Sequence, residues 1–163
     1  MPNYEKSYLG QIRPLIGKRS LIITAARAVI RDQRDRILFI RRRDNGLWAM
    51  PAGCQELDES ISDCLRREVK EETGLDVISA TPIAIYSQLP IVTVYGDPYQ
   101  LFLVQFLVGE WSGTLVTETD ETVDARFFGL DELPAEMPDF YRQALQDLQA
   151  YDLQAYDGNL ILR

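Results

Sequence analysis

The segment from Gly53 to Leu75, GCQELDESISDCLRREVKEETGL, constrains this chain more than any other. Residues 59–73 read as a helix, and Gly74 stands where a left-handed residue ends one. Ser60 and Asp63 fit a capping box near its start. At about 100° per residue, Glu68 and Glu72 sit about 40° apart, with Glu71 about 60° from Glu68 on the other side. Three carboxylates therefore share one face within about one turn. Like charges at these spacings repel, so the face is unfavourable alone. Hard divalent cations among the oxygens reverse that, and magnesium commonly takes a few carboxylates plus water and substrate phosphate. Arg67 is expected to point away from this face and to pair with Glu59, bracing helix against loop. The competing reading is an ordinary solvated helix face.

Composition narrows the chemistry. The 163 residues include no histidine. That excludes a Ser-His-Asp or Cys-His catalytic system, a His-based zinc site and a histidine pH switch. Acid–base work must fall to carboxylates, Tyr, Lys or metal-bound water. Cys54 and Cys64 are too few for a disulfide framework or a structural zinc site, and are expected to be free thiols in a reducing compartment.

The net charge of −8 is divided unevenly. Residues 1–43 carry 11 basic and 3 acidic side chains (net +8), which leaves −16 on residues 44–163. Such a split suits an anionic ligand gripped by Arg with cations held by carboxylates, although a surface segregates charge for blander reasons too. The N-terminus lacks the apolar core of a secretory signal. Val77 to Gly96 is uncharged for 20 residues, but Pro82, Pro90 and several Ser and Thr make it short strands rather than a membrane helix. A cytoplasmic protein without membrane partners is expected.

Along the chain, residues 1–19 form an N-terminal arm or short helix broken by Pro14 and Gly17, and residues 20–163 a single domain. Strands are expected at Leu21–Ile30, Ile37–Ile40, Val77–Ser87, Tyr99–Val108 and Ala125–Phe128. A C-terminal helix starts near Asp139, with Phe140, Ala144, Leu145 and Leu148 on its apolar face. The tandem LQAYD at 148–157 has a period that matches neither helix nor strand and is treated as incidental. The order is mixed α/β rather than regularly alternating.

The spacing of the carboxylate segment matches, at every fixed position, the signature of the Nudix hydrolase family, G-x5-E-x7-R-E-U-x-E-E-x-G-U with U aliphatic. The positions are Gly53, Glu59, Arg67, Glu68, Val69, Glu71, Glu72, Gly74 and Leu75. A chance match in a chain of this length is on the order of one in ten million. The lead-in Gly46-Leu47-Trp48-Ala49-Met50-Pro51-Ala52-Gly53 and the closing Phe127-Phe128-Gly129-Leu130 also resemble the family, so residues 20–135 are covered. The resemblance implies an α/β fold, an α/β/α sandwich with a mixed β-sheet and a loop–helix–loop catalytic box.

The resemblance further implies hydrolysis of nucleoside diphosphates linked to another group, by water attack on phosphorus with Mg2+ (or Mn2+ as substitute). It assigns Glu68 and Glu72 as principal metal ligands, Glu71 as a third, and the Ala52 backbone carbonyl as a further one. Gly53, Glu59, Arg67 and Gly74 become structural members of the box. Any box glutamate, or a later one, could be the general base. Glu118 and Glu121 precede the final strand, where the family often places another catalytic carboxylate, though a solvated acidic loop explains them equally. Arg41, Arg42 and Arg43 alternate along a strand, so Arg41 and Arg43 are candidates to face phosphates. Trp48 could stack on a base or simply be buried.

Pro90, 15 residues beyond Leu75, resembles ADP-ribose-hydrolysing members, so ADP-ribose or a nucleotide sugar is slightly favoured as substrate. The alternative is sanitation of modified nucleoside triphosphates. Alternatives of another class are a non-catalytic binding module of the same fold and, lower, nucleic-acid binding through the basic N-terminal region, which has little aromatic interleaving. A small-molecule nucleotide is the expected partner and nucleic acid is not. A homodimer is compatible with the sequence but not derivable from it.

Overall fold

A computed structural model describes residues 4–93, 96–153 and 159–163. In chain order, a 3-10 turn (Tyr4–Lys6) leads to α1 (Tyr8–Ile16), β1 (Leu21–Ile30), β2 (Ile37–Arg42), β3 (Trp48–Ala49) and β4 (Ala52–Cys54). There follow α2 (Ile61–Thr73), β5 (Asp76–Val92), β6 (Pro98–Ser112), β7 (Thr122–Phe128), α3 (Phe140–Leu153) and β8 (Ile161–Leu162). Two sheets form, one in the order β4-β1-β6-β5-β8 and one in the order β3-β2-β7.

The centre of the larger sheet is the parallel pair β1 and β6, running from Leu21 opposite Tyr99 to Ile30 opposite Val108. Parallel strands inside a domain are covered on both faces and read as continuous apolar runs. Ala25 to Ile30 are accordingly all buried. β6 pairs antiparallel with β5, and β4 antiparallel with the other side of β1. Helix α2 packs Cys64, Leu65 and Val69 into the main core, which β2 enters with Ile37, Leu38, Phe39 and Ile40. Helix α3 closes the structure with Tyr141, Leu145 and Leu148 in that core and Ala144 against Ala25, Ala84, Tyr86 and Leu103. This is the α/β/α sandwich with mixed sheet that the sequence led us to expect, though its strands divide between two sheets.

Several boundaries moved. The N-terminal helix is not broken at Pro14: α1 runs through it to Ile16 and stops at Gly17, with φ of 61°. The Arg13 guanidinium binds the Gly17 and Arg19 carbonyls and so closes the end of the helix. β5 and β6 extend beyond the expected Val77–Ser87 and Tyr99–Val108, because register shifts let the hairpin curve and continue pairing. The short strands β3, β4 and β8 exist only through their partners. Ala144, Leu145, Leu148 and Phe140 of α3 face the protein as expected. The second LQAYD copy falls on 153–157, essentially outside the described residues. No helix among the described residues is long and apolar enough to cross a membrane.

Candidate functional site

Helix α2 begins two residues later than expected and is capped as its sequence suggests. The Ser60 hydroxyl accepts the Asp63 N–H at 3.1 Å and donates to the Asp63 carboxylate at 2.7 Å. Gly74 ends the helix at φ 74°, a conformation that costs a glycine little. Between these caps, Val69 and Leu65 bury one side, which turns the carboxylates toward the strand β4.

The loop makes room for them. A Cβ at Gly53 would lie 1.9 Å from the Glu68 carboxyl carbon, so this glycine lets the carboxylate pack on the backbone. Glu72 is 1% exposed, and its Oε2 accepts the Ala52 N–H at 2.9 Å. In an antiparallel ladder the N–H and C=O of one residue leave on the same side. The Ala52 carbonyl therefore projects toward Glu72, away from β1. Arg42 approaches the other Glu72 oxygen only to 3.9 Å, because Asp44 holds its guanidinium through two hydrogen bonds of 3.0 and 2.8 Å.

Arg67 departs from expectation. It pairs with Glu59 at 2.8 Å as foreseen, and it also donates to the Cys54 carbonyl at 3.0 Å. Instead of pointing away from the acidic face, however, it also reaches Glu68 at 2.7 Å and Glu71 at 3.2 Å. One long, forked side chain can serve the loop and the helix face together, which an angular projection of Cα positions does not capture.

Burial pushes the Glu68 carboxyl up to about 7, although the Arg67 charge pulls it down. Glu72 is driven well above the ordinary carboxylate range, by burial first and by the Glu68 charge second. Glu71 stays largely in solvent. Among the described residues, no three acidic or thiol side chains converge into a ready-made metal cluster, since Glu68 leans on Arg67 and Glu72 on Ala52. The donor set nonetheless fits a hard cation. It offers carboxylates and a carbonyl, two of the acids are buried with incomplete compensation, and buried charge left so is costly.

Ala52, Glu68 and Glu71 line a cavity of about 860 Å3, and Glu72 lies buried behind them, off its wall. Glu68, Glu71, Glu121, Arg67 and Arg42 contribute charge to its wall, and Trp48, Phe140, Tyr141, Leu101 and Leu103 apolar or aromatic surface. Of the two loop acids, Glu121 lines the cavity and its charge is felt by both Glu68 and Glu72. Glu118 is occupied outside it by Arg43 at 3.1 Å. The two arginines expected to face phosphates do not line the cavity. Arg41 is exposed and donates to the Gly46 carbonyl, and Arg43 is held by Glu118 and the Thr119 carbonyl. A register shift between Arg41 and Arg42 brings Arg42 inward instead. Trp48 is buried, 6% exposed and edge-on to Phe128 at 4.9 Å, and also contributes to the cavity wall.

Sequence reasoning missed three contributors. Asp120 lines the cavity beside Glu121. Glu56, inside the box loop, accepts the Tyr8 N–H at 2.6 Å and so ties α1 to the site. Arg27 is buried in β1, and a single charge inside the run LIITAARAVI could have drawn attention to it. Both cysteines are free, and burial raises the Cys54 and Cys64 thiols to about 12.

Known proteins share this sequence and fold over much of the chain. The chain is 33% identical over 97 residues to the NAD-capped RNA hydrolase NudC of Vibrio vulnificus, covering 60% of this chain and 34% of that protein. It is 31% identical over 107 residues to an ADP-ribose pyrophosphatase of Methanocaldococcus jannaschii, covering 63% of this chain and 60% of that one. The chain thus spans about a third of the NudC relative. A crystal structure of an ADP-ribose pyrophosphatase from Streptococcus suis superposes with a TM-score of 0.63 at 27% identity, over 86% of this chain and 98% of that one. The NUDIX domain profile matches residues 22–148, and the chain belongs to this family.

Proposed function

We propose that this protein is a divalent-cation-dependent pyrophosphohydrolase of nucleoside diphosphate-linked compounds, with ADP-ribose or a nucleotide sugar as its substrate. The observation that carries the reading is the pair Glu68 and Glu72, buried on one helix face, with Glu68 lining a cavity large enough for a nucleotide and Glu72 directly behind it. Glu68, Glu72 and Glu71, with the Ala52 carbonyl, would hold Mg2+ or Mn2+. When bound, such a cation neutralises phosphate charge and acidifies water.

The chain's own residues divide the remaining work. Arg67 fixes the Glu68 and Glu71 carboxylates against the loop through Glu59. Arg42, at the cavity wall, offers positive charge to the diphosphate. Glu121, on the cavity wall, is the group assigned to take a proton from attacking water in this reading. The apolar walls around Trp48 and Phe140 exclude bulk water and receive a base or sugar. Residues 20–163 act as one catalytic unit in this reading, and the N-terminal turn and α1 add Lys6, Ser7 and Leu9 to the cavity wall.

The ADP-ribose preference is supported by the named activity of the Methanocaldococcus jannaschii and Streptococcus suis relatives. The named activity of the Vibrio vulnificus relative adds NAD-capped RNA to the substrates worth testing. Purified protein with Mg2+ is assayed against ADP-ribose, nucleotide sugars, dinucleoside polyphosphates, modified dNTPs and NAD-capped RNA. Release of a nucleoside monophosphate from ADP-ribose or a nucleotide sugar is expected. Failure to turn over any of the panel with either Mg2+ or Mn2+ would contradict the enzyme reading.

A further inference from the structure

Strand β1 buries a cation that the site described so far does not use. Arg27 is 1% exposed. Its Nε donates to the Gln105 side-chain oxygen at 2.9 Å, and Gln105 in turn donates to the Ala144 carbonyl at 3.3 Å. The rings of Tyr86 and Tyr141 lie 4.9 and 5.3 Å from the guanidinium carbon. Both terminal nitrogens are buried with no partner at good hydrogen-bond geometry among the described residues, and the Tyr86 hydroxyl, which donates to Asp147, offers only a weak acceptor nearby. The nearby acid, Asp147, is already engaged by Tyr86, Gln143 and Arg163.

Aromatic rings offset part of the desolvation of a buried guanidinium, but they do not replace hydrogen bonds to its N–H groups. Unpaired, such a cation opposes folding. Its position suggests what completes it. Arg27 stands opposite Ala52 in the β1–β4 ladder, and Ala52 is the residue whose N–H holds Glu72. Arg27, Tyr141 and Ala52 all line the cavity that contains the carboxylates. An unsatisfied planar donor fork therefore lies one strand from the place where the substrate's phosphates would sit.

We propose that Arg27 is a substrate-binding residue whose terminal nitrogens take the non-bridging oxygens of the substrate diphosphate. The inference rests on the functional reading above and deepens it. The guanidinium fork matches two phosphate oxygens in a way that a lysine does not. Tyr141 covers the guanidinium and also lines the cavity, so access of the phosphate to the fork requires its ring to move. The diphosphate is then held between the carboxylate face of α2 and a buried arginine on the sheet.

The test compares wild type with Arg27→Gln, Arg27→Met and Arg27→Lys in Mg2+. Thermal melts are recorded with and without methylenediphosphonate, a bare diphosphate mimic that cannot be hydrolysed, and steady-state kinetics are measured on ADP-ribose. Methylenediphosphonate is expected to raise the wild-type Tm. The rise should vanish in Arg27→Gln and Arg27→Met and return in part in Arg27→Lys. KM should increase about tenfold or more, with kcat within about threefold of wild type.

A full Tm response together with unchanged KM in Arg27→Gln would overturn the proposal and leave Arg27 a structural cation. A KM increase without loss of the diphosphonate response would overturn it too. Were wild type inert toward ADP-ribose, the substrate reading would fall while the melts still tested Arg27. Were the Gln and Met variants unable to fold, Arg27→Lys would decide, since a wild-type response there excludes use of the fork.

Discussion

Two acids, one on each of two helices, are almost equally hidden from water and are treated in opposite ways. Asp147 on α3 is 2% exposed, and Glu72 on α2 is 1% exposed. Asp147 accepts the Tyr86 hydroxyl at 2.9 Å, the Gln143 amide at 3.2 Å and the Arg163 guanidinium at 2.7 Å. Those donors outweigh the opposing effect of burial and hold its carboxyl below the ordinary range. Glu72 has one backbone N–H, an arginine at 3.9 Å that is shared with Asp44, and a second carboxylate nearby. Burial wins there, and the carboxyl rises. Hidden charge alone therefore does not mark a site. A completed set of partners marks structure, and an incomplete one beside a cavity marks a place prepared for a ligand.

The largest test of this contrast is catalytic. Glu72→Gln retains an acceptor for the Ala52 N–H while removing the charge, and should cost about 100-fold or more in kcat. Melts in EDTA should show the metal-free variant no less stable than wild type, because an uncompensated charge has been removed. Asp147→Asn should reverse the pattern. It breaks a satisfied network and should lower stability by about 2 kcal/mol in denaturant unfolding, while activity stays close to wild type.

A smaller and more discriminating effect concerns pH. In metal-free protein, Glu68 has a folded pKa raised to about 7. Its contribution to stability is therefore full below the unfolded carboxylate value and is lost as pH rises through about 7. Asp147 is depressed, so its contribution is present above the unfolded value and lost as pH falls into the acid range. Melts in EDTA should show stability declining from pH 5 to 8, with the decline reduced in Glu68→Gln. Mg2+ should stabilise wild type more at pH 8 than at pH 5.5, since cation and proton compete. The smallest effect is at the helix cap. Ser60→Ala should cost about 1 kcal/mol and leave the preference for divalent cations unchanged.

The contrast between the two acids also shows what a sequence can and cannot display. The α2 face was legible because its three glutamates, its cap at Ser60 and its stop at Gly74 all lie within one helix, where spacing fixes geometry. The core strands β1 and β2 were legible for the same reason, as continuous apolar runs. Asp147 was not, because its partners Tyr86 and Arg163 are 61 and 16 residues away. Arg27 reads in sequence as a charge that could face outward. Only the parallel pairing of β1 with β6, which buries both faces, places it beside Gln105. Arg41 and Arg43 were favoured over Arg42 by simple strand alternation, which the register shift after Arg41 breaks. The route of Arg67 to the acidic face depended on side-chain reach rather than on Cα direction.

The most direct measurement is calorimetric titration of Mn2+ into metal-free wild type, Glu68→Gln and Glu72→Gln at pH 8, with proton release followed in buffers of different ionisation heat. The account predicts saturable binding to wild type and binding at least about tenfold weaker in each variant. It also predicts that proton release on wild-type binding grows as the pH is lowered toward 7. Equal Mn2+ affinity in all three proteins would contradict the central claim that this buried glutamate pair is completed by a cation.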